Sequence, residues 1–165
     1  MHLLDELLEA WRYTREGVIA ELANLPRERL DERPSGVRRS ALELARHIVD
    51  SGWLMAGELS RPDGDFRRKS YDALVAEHAT DPAPRNRAEA LDRLRESHER
   101  GAAMLRSAGL ALLEQPIRQF NGVPASRLSW MHHGIAHEEY HRGQLALYAR
   151  LLGVTPALTR AIEGS

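Results

Sequence analysis

The sequence predicts an all-α protein, a four-helix bundle with long loops between the helices, a small hairpin and a short C-terminal helix. Two observations carry this prediction. Four long segments repeat apolar residues at three- and four-residue steps, the spacing that lays them along one helical face. Between them lie stretches with proline, glycine and helix-terminating residues, so each segment is a separate helix that must hide its stripe against the others. At 165 residues the chain suits one domain, residues 1–165, and a compact fold of that size removes roughly 70% of the extended chain's surface from water.

In the first segment Leu3, Leu4, Leu7, Leu8, Trp11, Val18, Ile19 and Leu22 form one stripe, which ends before Pro26. Residues 26–39, with Pro26, Pro34 and Gly36, read as a connecting loop. Ser40-Ala41-Leu42-Glu43 then fits a capping box, in which the serine and glutamate satisfy free amides, and a second helix runs from about Ala41 to Leu59. Arg61-Pro62-Asp63-Gly64-Asp65 has turn chemistry and Asp81-Pro82-Ala83-Pro84 prevents regular structure, so residues 61–85 are a long excursion with one short helix near 70–78. Excursions of this length often shape or cover a site.

Asn86, with Glu89 three residues later, opens the third helix, and Leu91, Leu94, His98, Ala102 and Leu105 continue its stripe until it fades near Gly109. Pro116, Asn121-Gly122 and Pro124 make residues 115–126 a turn-rich connector, in which Asn-Gly closes a small hairpin around Ile117 and Val123. The fourth helix runs from about Ala125 to Leu152, where Gly153 supplies a left-handed terminal residue and Pro156 forbids continuation. A short helical turn through Leu158 and Ile162 follows.

Composition excludes several functions. The net charge of −1 arises from 23 basic and 24 acidic residues spread along the whole chain, so no single-sign field exists to attract nucleic acid or anionic lipid. No basic stripe or aromatic platform marks a nucleic-acid partner, and Arg67-Arg68-Lys69 is most simply a solvated loop. The lack of cysteine removes disulfides, thiolate metal sites and a cysteine nucleophile together, leaving histidine and carboxylate as metal ligands. Any catalytic thiol must come from elsewhere. No segment approaches the ~18 uninterrupted apolar residues of a membrane span, and Asp5, Glu6 and Glu9 stand where a signal peptide needs an apolar core, so no membrane partner and a cytoplasmic location are expected.

The chemistry lies in the histidines. His137 and His141 are four apart on a helix, so their side chains leave one face about 40° apart and ~6 Å displaced along the axis, a separation two imidazoles can close around one metal. The stripe Gly134, His137, His141, Leu145, Tyr148 and Leu152 places both rings on the interior face. Buried imidazole nitrogens without partners cost on the order of 1–3 kcal/mol each, so a sequence that retains two inside must satisfy them. On the second helix the face Leu44, His47, Ser51 and Leu54 is apolar but for one imidazole and one small hydroxyl residue, so His47 points inward as a third ligand. Three imidazoles on one side of a metal leave positions open for water or substrate. For each ring the alternative is a core histidine bonded to a backbone carbonyl or carboxylate.

Other residues are weaker candidates. His133, four before His137, is a candidate either to support a ligand by hydrogen bonding or to swap into the site, and His98, on the inner face of the third helix, is a candidate to touch it. Trp130, seven before His137, shares its face and either walls a pocket or packs in the core. Glu138, Glu139 and Asp50 are nearby carboxylates whose helical phases point to surface solvation, and His2, His78 and His132 read as solvent or loop residues.

The segment His137-Glu138-Glu139-Tyr140-His141-Arg142-Gly143-Gln144-Leu145, continuing into Leu151-Leu152-Gly153 and Pro156, resembles the terminal histidine pair of the DinB/YfiT-like superfamily of metal-dependent four-helix-bundle proteins. Leu44-Ala45-Arg46-His47-Ile48 resembles that family's first ligand segment, and Leu25-Pro26, Leu30-Asp31 and Arg33-Pro34 resemble the loop before it. The resemblance covers nearly the whole chain. It implies that His47, His137 and His141 carry one divalent transition ion per chain, zinc or nickel foremost, and that the protein is a homodimer. Gln144, three residues after His141, is placed to brace the site by hydrogen bonding; helix packing around Gly143 is the alternative for Arg142-Gly143-Gln144.

Two functions follow as expectations. The first is an enzyme in which the metal activates water or an exogenous low-molecular-weight thiol against a small electrophile, as a thiol S-transferase or hydrolase. Some relatives implied by the resemblance are thiol-dependent transferases or isomerases, and substrate contacts are expected from residues 61–85 and 115–126. The second is a non-catalytic metal-binding protein with a structural, sensing or interaction role.

Overall fold

The structure is a computed structural model that describes residues 3–34 and 37–164. His2 and Gly36, read above as solvent and loop positions, lie outside the described residues. Four long helices dominate: α1 (Leu3–Asn24), α2 (Ala41–Ser60), α4 (Arg87–Ala108) and α6 (Arg127–Leu151). Shorter helices α3 (Tyr71–His78), α5 (Leu110–Leu113) and α7 (Ala157–Glu163) and the strands β1 (Pro116–Arg118) and β2 (Pro124–Ser126) fill the connections. Helices α4 and α6 are the chief neighbours of both α1 and α2, so α1 and α2 face each other diagonally across the bundle. The all-α architecture, the hairpin and the terminal helix agree with the sequence reading.

Helix starts follow local chemistry. Ser40 Oγ accepts a hydrogen bond from the Glu43 amide at 3.2 Å while Glu43 Oε2 accepts from the Ser40 amide at 2.7 Å, completing the expected capping box. Asn86 Oδ1 accepts from the Glu89 amide at 3.0 Å at the start of α4. Helix α6 begins at Arg127 rather than Ala125, because Pro124–Ser126 pair antiparallel with Pro116–Arg118 and Ser126 Oγ then caps the Ser129 amide at 3.1 Å. The hairpin turn holds Asn121 and Gly122 as expected, with Gly122 at φ +87°. Ile117 is buried in β1, whereas Val123 sits exposed in the turn instead of in a strand. Gly109, at φ +77°, ends α4, and the following turn folds as α5, which the reading did not anticipate and which buries Leu113.

Two apolar clusters make the core. One gathers Val18 and Leu22 of α1, Leu44 and Ile48 of α2, Leu94 of α4 and Leu145 of α6. The other gathers Leu7 and Trp11, Leu54 and Leu59, Leu105, and Met131 with Phe66 and Leu74 from the excursion. Along α1 and α6 a charged residue separates the clusters, Arg15 between Trp11 and Val18 and Glu138 between Met131 and Leu145.

A second polar knot ties down residues 61–85. Arg68 pairs with both Glu58 and Glu77, and the His78 ring nitrogen lies 2.6 Å from Glu58 Oε1. This corrects two expectations: Arg68 is not part of a simply solvated loop, and His78 is not a solvent residue. Both were read locally, while their partner Glu58 lies on the wholly buried face of α2. Burial opposes ionisation of Glu58, but hydrogen bonds from His78 and Arg68 outweigh it and hold the carboxyl well below the usual range. Among the described residues, no helix is long and apolar enough to cross a membrane.

Candidate metal centre

Helix α6 carries His137 and His141 on one face, and α2, packed beside it, brings His47 against them. The Nε2 atoms of His47 and His137 stand 3.2 Å apart, and those of His141 and His137 stand 3.0 Å apart. The rings are nearly perpendicular, with interplanar angles of 73°, 84° and 90°, so they converge by their edges instead of stacking. His141 is buried, and the other two are half-buried.

Proton accounting shows why these rings suit a cation. Gln144 Oε1 lies 2.7 Å from His141 Nδ1, so that nitrogen carries the hydrogen and donates, leaving His141 Nε2 with a lone pair. A proton on His137 Nε2 can serve His141 or His47 well, but not both. One cation in their midst satisfies all three nitrogens. Ligands about 2.0–2.1 Å from one ion, at near-tetrahedral or near-octahedral angles, stand roughly 2.9–3.4 Å apart. The spacings of 3.0 and 3.2 Å fall in that range, so the donor set fits a divalent transition ion.

The electrostatics agree. Burial, the Arg39 guanidinium and the two neighbouring rings push His47 down to about 3; burial and His141 push His137 down to about 4. Burial also lowers His141, against the supporting bond to Gln144. The imidazoles are therefore neutral at pH 7, the form that ligates metal. The metal-free fold refuses protons that an unfolded chain accepts below the ordinary histidine value of about 6.5. Its stability is thus complete above that value and is lost as pH falls towards the folded-state values near 3 and 4. The melting temperature of metal-free protein should fall between about pH 7 and pH 5, more steeply than that of a His47→Ala/His137→Ala variant. A flat profile for the unsubstituted chain would contradict this.

Glu58, Glu77 and His78 also gather donor atoms closely. There the cation is already present, since the Arg68 guanidinium bonds both carboxylates and Lys69 Nζ adds a contact to Glu77 at 2.7 Å. That group is an ion-pair network satisfied by side chains.

The remaining predicted residues divide clearly. Ser51, Trp130 and His133 line a cavity of about 110 Å³ that also touches His137, and Trp130 stacks on the exposed His133 at 4.5 Å. Gln144 bonds His141 as described. His98 is not brought to the three histidines: its ring stands against Trp11 at 4.7 Å, and its buried Nε2 has no hydrogen-bond partner among the described residues. His132 is exposed, as expected. Asp50 is half-buried beside Arg46, and Glu139 pairs with Arg142.

Glu138 corrects the surface reading outright. It is 2% exposed, receives Arg15 Nε at 2.9 Å and Nη2 at 2.5 Å, and also accepts from Trp11 Nε1 at 2.8 Å. Arg15 in turn donates to the Leu94 carbonyl at 2.6 Å and Ser97 Oγ at 2.7 Å, tying α1, α4 and α6 together beside the histidines. Sequence reasoning also missed Phe66, Tyr71 and Phe120 individually, although they come from the two segments expected to shape the site.

A helical bundle with three imidazoles converging between two neighbouring helices defines the class of protein. Residues 7–145 match the DinB superfamily, and the chain belongs to it. Among solved structures, a DinB-like protein of Bacillus subtilis, YjoA, is similar over 91% of this chain and 93% of its own at 19% identity, with a TM-score of 0.70. A protein placed in the DinB family, from Exiguobacterium sibiricum, is similar over 93% of this chain and 94% of its own at 23% identity, with a TM-score of 0.62. At those identities the likeness establishes the shared fold. No curated protein matches.

Proposed function

We propose that this chain is a divalent-metal-dependent enzyme for a small molecule, of the thiol S-transferase or hydrolase type, with one zinc or nickel ion held by His47, His137 and His141. The single observation that carries this reading is the convergence of three neutral imidazole nitrogens, at 3.0 and 3.2 Å, beside a cavity. A divalent ion held there supplies Lewis acidity, drawing the pKa of a coordinated water or exogenous thiol towards neutrality. The chain's own residues do the rest. Gln144 fixes the tautomer and tilt of His141, the cavity beside His137 receives the substrate, and Ser51 and His133 offer it hydrogen bonds.

The cavity favours this reading over a purely structural centre, which closes its coordination with protein ligands and has no use for adjacent space. A cytoplasmic setting, where free thiols stay reduced, belongs to the proposal. So does a homodimer. The stripe Tyr140, Leu147 and Leu151 on the outer side of α6, 65%, 47% and 53% exposed, supports a second copy there.

The test pairs elemental analysis of untagged protein with a panel of low-molecular-weight thiols, small electrophiles and activated esters and amides. About one zinc or nickel per chain, with metal-dependent thiol transfer or hydrolysis, is the expected result. Metal-loaded protein inert across the panel would overturn the enzymatic reading. Gln144→Ala should weaken metal binding roughly 10–100-fold, the usual cost of losing an outer partner, as read by chelator competition. An unchanged affinity would reduce Gln144 to a packing role.

A further inference from the structure

The cavity beside His137 has walls that narrow what can occupy it. Phe66, Tyr71, Phe120 and Trp130 surround it, Met55 closes one side, and among the described residues no Lys, Arg, Asp or Glu lines it. The rings are tilted, not stacked: Phe66 and Trp130 at 4.9 Å and 44°, Phe120 and Trp130 at 5.8 Å and 59°, Tyr71 and Phe120 at 5.9 Å and 56°. Tilted walls offer faces and edges that a further ring meets in the favoured edge-to-face or offset geometries. Tyr71 and Phe120 are 43% and 39% exposed, so apolar surface stands open to solvent at the rim. The volume of about 110 Å³ is on the scale of a single ring, since a dry cavity of roughly 150 Å³ accepts benzene.

Helix packing maintains this space. A Cβ on Gly134 would stand 2.0 Å from Met55 Sδ, so the bare glycine lets the thioether lie against α6 instead of being driven aside. Charge sets the remaining limit. Among the described residues, an anionic ring substituent finds no side-chain cation in the wall and a cationic one no carboxylate to receive it.

We infer that this cavity binds an uncharged aryl group of the substrate, with the reacting part of the molecule directed towards His137. Aryl binding stands on the cavity itself; its place in a substrate rests on the metal-dependent reading above.

The chain has three tryptophans, so indole-labelled protein reports Trp11, Trp53 and Trp130 as separate resonances. Titration with p-cresol should shift the Trp130 indole saturably and leave the other two in place. Cyclohexylmethanol, of similar size without a ring face, should bind about tenfold more weakly, the loss of one or two aromatic contacts. Phe120→Ala should weaken p-cresol binding by a similar factor, Tyr71→Ala serves if that variant does not fold, and Tyr13→Ala, an exposed ring elsewhere, should change nothing. No saturable shift of Trp130, equal binding of cyclohexylmethanol, or tighter binding of phenyltrimethylammonium would overturn the inference. Elemental analysis of the same sample separates the two claims. Absent metal with intact p-cresol binding removes only the metal reading, and bound metal without a p-cresol response removes only the aryl site.

Discussion

Replacing His47, His137 or His141 with alanine should lower affinity for zinc or nickel by more than about a hundredfold, exceeding the 10–100-fold that outer partners command. The reason is the shared geometry of the three nitrogens. His137 Nε2 stands 3.2 Å from one partner and 3.0 Å from the other, so its loss removes the nitrogen that lies beside both of the remaining donors. Loss of His47 removes the donor that α2 contributes to this group and leaves an i, i+4 pair on α6 alone. Chelator competition measures the change, and His133→Ala, at an exposed ring stacked on Trp130, should retain binding. The loss should also appear as stability. Metal present at a hundred times its dissociation constant contributes about 2.7 kcal/mol to the folded state, a contribution that the variants forfeit. Undiminished affinity in any of the three would remove that residue from the ligand set.

Glu138→Ala should destabilise the fold by about 3–5 kcal/mol, because it strands the buried Arg15 guanidinium and the Trp11 indole N–H without their acceptor. For a chain of this size that lowers the melting temperature by roughly 6–20 °C. The effect comes mainly from the uncompensated charge, so the double variant Arg15→Met/Glu138→Leu should recover most of the loss. A double variant as unstable as the single one would show that the pair contributes net attraction beyond its desolvation cost. A single variant within about 0.5 kcal/mol of the parent would contradict the buried network altogether.

The four long helices were legible because each carries an apolar stripe with chemical stops, and stripe and cap are local properties of the chain. The three histidines were legible for the same reason. His137 and His141 share a phase with Leu145 and Tyr148, and His47 shares one with Leu44 and Leu54, so register alone turns all three inward. Register also carried a signal that the surface assignment of Glu138 passed over. Glu138 lies midway between Met131 and Leu145 at steps of seven, and Arg15 follows Trp11 by four, so both occupy core positions. The surface phase assigned to Glu138 overlooked the steps of seven that it shares with Met131 and Leu145. Pairing it with Arg15 also required knowing that α1 and α6 are neighbours, which no local pattern states.

The aromatic wall was legible only as a region. Phe66, Tyr71 and Phe120 fall in segments without periodicity, and their meeting depends on the excursion docking onto the hairpin, where the Phe66 amide donates to the Arg118 carbonyl at 3.0 Å. His78 and Arg68 were read as solvated for a related reason. Their common partner Glu58 lies twenty and ten residues away, across a turn whose closure only the folded chain defines.

X-ray absorption spectroscopy of protein loaded with one equivalent of zinc addresses the ligand set most directly. A shell containing three imidazole nitrogens at about 2.0–2.1 Å, completed by light oxygen or sulfur atoms from solvent or an added thiol, is the predicted result. A shell dominated by carboxylate oxygen with a single imidazole would instead place the ion at Glu58, Glu77 and His78, and would contradict the assignment of the centre to α2 and α6.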